Sequence, residues 1–180
     1  NIKASIFIIT DKIGQEIDGI KYLGWDECLE MQNSGLVEIF SHSKKHVFYD
    51  KLPVREIRDD VKESYRMIEK HLGKQKLKVF AYPYGAYTNE TVQTLKNNGI
   101  DFQVYDIGIN NFRSLDRNFI KRINIPCEMT GREIIDEILR CDVWMSVILV
   151  APKMPEMPVV PAMSAMPAMS VGTENFDIIF

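Results

Sequence analysis

Two of the chain's three histidines, His42 and His46, stand four residues apart in the stretch Ser41-His42-Ser43-Lys44-Lys45-His46. They follow the apolar run Val37-Glu38-Ile39-Phe40, so they fall where a short buried strand would end. If the chain turns helically after His42, both imidazoles lie on one face, about 5–6 Å apart at Cβ. That spacing lets both rings reach one divalent cation, with metal–nitrogen bonds of about 2.0–2.1 Å for zinc. The alternative is a solvated loop of two histidines among lysines. The third histidine, His71, falls in the last turn of a predicted helix, where a cation suits the helix dipole. It reads as a surface residue rather than a ligand.

The three cysteines, Cys28, Cys127 and Cys141, form no Cys-x-x-Cys pair, and their number is odd. They are expected to be buried or half-buried structural thiols, not a disulfide framework. The 180 residues are 46% hydrophobic and 26% charged, which suits one domain with a sizeable core. The net charge of −3 and the shortness of the Lys44-Lys45 pair exclude a nucleic-acid surface. No apolar run approaches the ~18 residues of a membrane span, and there is no signal peptide in the chain. A start at Asn1 rather than Met suggests a mature or trimmed product.

The elements that must carry the pair are legible from periodicity. Lys3 to Ile9 is β-branched, aromatic and almost continuously apolar, as a strand covered on both faces would be. Trp25 to Asn33 predicts a helix with Trp25, Cys28 and Leu29 on one face, stopped by Gly35. Val37 to Phe40 predicts the next strand. Pro53 opens the longest helix, with Val54, Ile57, Val61, Tyr65, Ile68 and Leu72 as its stripe and Gly73 as its stop. Lys78 to Ala81 is a third strand, followed at once by Tyr82-Pro83-Tyr84-Gly85. Thr88 caps a helix that turns Val92 and Leu95 inward and ends at Gly99. Phe102 to Tyr105 and Phe119 to Ile125 are further strands. Thr130-Gly131-Arg132-Glu133 is a capping box before a last helix through Ile134, Ile135, Ile138 and Leu139.

Strands alternating with helices predict an α/β fold on a parallel sheet, open or closed into a barrel. Chemistry in such folds gathers at the carboxyl ends of the strands. Thr10-Asp11, His42/His46 and Tyr82 to Gly85 all fall at such ends, so one shared site is expected. The chain divides into 1–142, the folded domain, and 143–180, a tail. Five of the nine methionines and five of the eight prolines lie within 151–170. So much proline forbids a regular helix or central strand. The expectation is an extended segment that wraps the domain or reaches a partner, including a second copy of the chain. A thioether copper site is the sharper alternative, but no Cys or His adjoins it.

His42-Ser43-Lys44-Lys45-His46 resembles the His-(Ser/Thr)-x-x-His motif of the polysaccharide deacetylases, carbohydrate esterase family 4. Tyr82-Pro83-Tyr84-Gly85 resembles that family's Pro-Tyr-Gly groove motif, at the expected distance downstream. Trp25-Asp26, Met31 and Ser34 to Ile39 are similar to the branch acting on poly-N-acetylglucosamine. The resemblance covers about residues 2–140. It implies a distorted (β/α) barrel, lacking its N-terminal strand, that removes N-acetyl groups from amino-sugar polymers. It implies further that His42 and His46 hold a divalent metal, most often zinc, together with an aspartate. The backbone N–H of Tyr84 would serve the oxyanion, Pro83 and Gly85 would shape the substrate groove, and Ser43 would steady the histidine loop. The substrate would be an N-acetylglucosamine polysaccharide outside the bacterial cytoplasm or at the cell surface. The family's Thr-Phe-Asp-Asp motif, which supplies the base and the metal aspartate, would precede Asn1. Asp11 and Asp106 are not in its position. No histidine stands near Arg122 to Ile125, where the family's general acid is sought, and Ala81 replaces an arginine often found there. These departures keep a second expectation open: a non-catalytic domain of the same fold that binds glycan or a partner.

Overall fold

The computed structural model describes residues 4–107, 116–122, 129–133, 136, 148–150 and 177–179. Its centre is a parallel sheet. Strand β1 (Ala4–Ile8) pairs with β4 (Val37–Ser41), β4 with β5 (Val79–Ala81), β5 with β6 (Phe102–Ile107), and β6 with β7 (Ile120–Arg122), all parallel. Five parallel strands curl into a half-barrel, the expected (β/α) architecture. A small antiparallel pair, β2 (Glu16–Ile17) and β3 (Ile20–Lys21), stands in the connection after β1. Beyond β1, β9 (Asp177–Ile179) joins antiparallel and carries β8 (Ile148–Val150) outside it. The rest of the Pro/Met-rich tail, and with it the copper alternative, lies outside the described residues.

The helices are α1 (Trp25–Asn33), α2 (Val54–Leu72) and α3 (Asn89–Asn97). Helix α2 buries Ile57, Val61, Tyr65, Ile68 and Leu72 against Ile8, Ile39 and Phe80 of the sheet. Each such side chain contributes about 1.5–3 kcal/mol of transfer free energy. The Tyr65 hydroxyl also donates to the Val79 carbonyl at 2.6 Å, tying α2 to β5. Phe7, Phe40, Val79, Ala81 and Val104 pack together as a separate cluster. Phe7 and Ile8 thus serve different clusters from adjacent positions, which explains the unbroken apolar run of β1.

Two side chains depart from the expected stripes. Leu29 is exposed although its helix lies where the spacing predicts, and Val54 is exposed at the first turn of α2. Cys28 is fully buried. Thr88 caps α3 by accepting the Thr91 N–H, and Thr130 Oγ1 accepts the Glu133 N–H. Ile123 to Ile125, and Ile134, Ile135, Ile138 and Leu139, lie outside the described residues, as do Cys127 and Cys141. Among the described residues no helix is long and apolar enough to cross a membrane.

Candidate functional site

Register brings the strand ends together. Ile8 pairs with Ser41, and Ser41 with Phe80, so the residues that follow β1, β4 and β5 emerge along one edge of the sheet. His42 donates its backbone N–H to Ile8 at 2.9 Å, and Tyr82 donates to Val104 at 2.9 Å. Each strand therefore hands its first loop residue to a neighbour before the loop turns away.

His42 is buried, with Nδ1 2.8 Å from the Ala81 carbonyl oxygen. A carbonyl oxygen only accepts, so Nδ1 carries the proton and the lone pair of the neutral ring is on Nε2. Burial above all, together with the facing His46 ring and Arg122, pushes the His42 pKa down to about 3, while the Ala81 carbonyl pulls the other way. His42 is a neutral imidazole at physiological pH, the form that ligates metals.

The His46 ring lies 4.9 Å from that of His42, centroid to centroid. The expected helical turn does not form. Ser43 and His46 take left-handed backbone conformations, with φ of 73° and 58°, and the loop curls the two rings toward each other instead. Each such residue costs about 1–2 kcal/mol. Hydrogen bonds hold the loop against that cost. His46 N–H donates to Ser43 Oγ at 2.8 Å, Ser43 N–H to Ser41 Oγ at 3.1 Å, and Lys44 N–H to Asp60 Oδ2 at 2.8 Å. The sequence reading missed Asp60 and Ser64, whose signal was two polar residues four apart along the flank of the α2 stripe.

Tyr84 reaches the pair from the end of β5. Its ring is 4.6 Å from that of His46 and stacks at 4.1 Å on Phe48, which the sequence reading also passed over. Tyr84 is left-handed, with φ of 59°, inside the single turn Pro83–Gly85. Gly85 follows at φ +63°, where an added Cβ would lie 2.6 Å from the Tyr105 carbonyl oxygen. Only glycine lets the turn sit this close to β6. Asp11 meets the loop through its backbone, donating to Lys44 at 3.1 Å, and its carboxylate stands 4.0 Å from Lys44 Nζ. His71 is exposed and stacks on Trp25 at 4.3 Å, away from the pair.

His42, His46 and Tyr84 are thus brought together, with Pro83 and Gly85 shaping the turn beside them. Two imidazoles, one held neutral with its lone pair on Nε2, fit a borderline divalent cation as two of its donors. Among the described residues no third His, Cys, Asp or Glu completes a metal-binding group with them.

The profile of the family described as polysaccharide deacetylase matches residues 1–103. A comparison with curated proteins returned no match. Among solved structures, a polysaccharide deacetylase from Bacillus cereus is 22% identical with a TM-score of 0.63, covering 77% of this chain and 42% of its own. The Streptococcus pyogenes deacetylase PplD, solved in complex with acetate, is 21% identical with a TM-score of 0.63, covering 74% and 57%. IcaB from Ammonifex degensii is 21% identical with a TM-score of 0.57, covering 77% and 61%. At these identities the likeness is one of fold. The chain spans less than two thirds of the length of each of the three.

Proposed function

Because the chain belongs to the polysaccharide deacetylase family, we propose that it takes part in hydrolysing the N-acetyl amides of amino-sugar polymers, at the site formed by His42, His46 and Tyr84. The observation that carries this reading is the His42 side chain. It is buried, neutral and oriented by the Ala81 carbonyl, an arrangement that suits a ligand and has no use in a solvated loop. Acetate, with which the Streptococcus pyogenes relative was solved, is the small product that such a reaction releases.

His42, through Nε2, and His46 would hold a divalent cation, zinc being the best match to imidazole donors. Such a cation, when bound, supplies Lewis acidity toward the amide carbonyl and acidity to a water. The chain's own residues do the rest of what the described part offers. The Tyr84 N–H, presented by the left-handed turn, donates to the amide oxygen as charge develops on it. Pro83 and Gly85 keep that turn against β6, so the donor does not have to reorganise during the reaction. Ser43 holds the His46 backbone through its Oγ. Overall, a water oxygen bonds to the acetyl carbon, the C–N bond breaks, and the amine leaves with a proton. The proton that the amine takes comes from the attacking water. We place the substrate outside the bacterial cytoplasm, where N-acetylglucosamine polymers lie, and assign contact with a second copy to the Pro/Met-rich tail.

The test is release of acetate from N-acetylglucosamine oligomers by the full protein with added zinc or cobalt. His42→Ala and His46→Ala should each lower the rate at least about 100-fold with the fold retained. Glycan binding without turnover, unchanged by His42→Ala and by a chelator, would instead establish a non-catalytic binding domain.

A further inference from the structure

The histidine loop is strained at Ser43 and His46, and its shape is imposed from outside. Two side chains of α2, Asp60 and Ser64, stand one turn apart and therefore on one face. Asp60 Oδ2 accepts the Lys44 N–H at 2.8 Å and the Tyr49 hydroxyl at 2.7 Å. A single carboxylate oxygen thus gathers the middle of the loop and the residue that closes it. Ser64 Oγ lies 2.6 Å from Ser41 Oγ, which accepts the Ser43 N–H, and Ser43 Oγ in turn accepts the His46 N–H. The hydrogen bonds run without a break from α2 to the backbone of His46. Asp60 is 9% exposed, and Ser64 and Tyr49 are fully buried, so water does not compete for these bonds.

We propose that Asp60 and Ser64 are positioning residues that set the separation and ring orientation of His42 and His46 as cation ligands. The inference rests on reading that pair as a metal site. It is distinct from general support of the fold, because α2 is docked by Ile57, Val61, Tyr65, Ile68 and Leu72 on its apolar face. Removing the clasp leaves that docking in place and releases only the loop. Asp60 holds the loop at Lys44, midway between the two ligands, whereas Ser64 acts at its root. Asp60 should therefore matter more. Outer partners of metal ligands typically change affinity by about 10–100-fold when removed.

The experiment uses the full chain carrying Asp60→Ala, Asp60→Asn or Ser64→Ala. Zinc affinity is measured by competition with a chromophoric chelator. The imidazole NMR resonances of the metal-free protein are recorded alongside, with circular dichroism as the check on folding. The expected result is zinc binding weakened about 10–100-fold by Asp60→Ala and less by Ser64→Ala, with displaced His46 resonances and a native circular dichroism spectrum. Native affinity and unmoved resonances in a folded Asp60→Ala protein would overturn the inference and leave the metal site standing. If Asp60→Ala does not fold, Asp60→Asn and Ser64→Ala decide by the same two readouts. Wild-type protein that takes up no zinc would overturn the metal reading itself, and the ligand role of the clasp with it.

Discussion

His42 Nδ1 lies 2.8 Å from the carbonyl oxygen of Ala81, a residue 39 positions further along the chain. The contact joins the end of β4 to the end of β5 and fixes which imidazole nitrogen is protonated. In the metal-free protein, NMR should show the Nδ1–H tautomer. Stability should also depend on acid in a defined direction. The folded pKa of about 3 is below the ordinary 6.5, so the unfolded chain takes up the proton first as pH falls. The contribution is present above about pH 6.5 and is lost as pH falls from there through 3, on the order of 5 kcal/mol in all. His42→Asn keeps an N–H for Ala81 and cannot titrate. Urea midpoints at pH 7, 5 and 4 should fall less steeply for this variant than for the wild type, and parallel slopes would refute the account.

Gly85→Ala should destabilise the protein by about 2–4 kcal/mol, combining left-handed strain with the 2.6 Å approach to the Tyr105 carbonyl. Gly35→Ala is the control. It shares a positive φ, +70°, but nothing lies within 4 Å of the added Cβ, so about 1–2 kcal/mol is expected. Equal losses in denaturant titrations would mean that the contact with β6 contributes nothing.

Periodicity made the frame of the site legible, because the signals were strong and local. Trp25 to Asn33 forms a helix with the predicted ends, and Pro53 and Gly73 bracket α2 as their backbone preferences dictate. The strand end at Ala81 followed from a short apolar run, and so, to within one residue, did the end at Ser41, expected at Phe40. Leu29 and Val54 were misjudged because spacing defines a stripe but not where the facing element stops. The loop between the histidines was illegible for a different reason. Serine and histidine do not announce a left-handed backbone, so His-x-x-x-His read as a helical pair, whereas Ser43 and His46 curl back on themselves. The force that imposes this conformation comes from Asp60 and Ser64, elsewhere in the sequence. A contact made only after α2 has docked leaves no local pattern beyond two polar residues beside an apolar stripe.

Cys28 should be chemically silent in the native protein. It is fully buried, and burial first, then the charge of Glu27, push its thiol up from 9.0 to about 11. At pH 8 the thiolate fraction is then about 100-fold below that of a thiol at 9.0, before access is considered. In a Cys127→Ser/Cys141→Ser background, a disulfide reagent should label Cys28 at least about 100-fold more slowly in native buffer than in denaturant. Rapid labelling of the folded protein would show that α1 opens from the sheet.

Tyr82→Phe should cost stability and leave the histidine pair intact. The Tyr82 hydroxyl donates to Gln103 Oε1 at 2.5 Å, and both residues are fully buried. Gln103 spends its amide nitrogen on the Val92 carbonyl at 3.1 Å. Removing the hydroxyl strands a buried amide oxygen, at about 1–3 kcal/mol. Gln103→Leu removes that oxygen as well, so the double variant should lose less than the sum of the single losses, by about 0.5–3 kcal/mol. Strict additivity in denaturant titrations would show that the two side chains are not coupled. Zinc affinity serves as the second readout. Pro83 and Tyr84 follow directly on Tyr82, but the Gln103 bond braces β5 against β6 rather than the loop between the histidines. Affinity should therefore stay native in Tyr82→Phe while it falls in Asp60→Ala, separating the brace of the sheet from the clasp of the site.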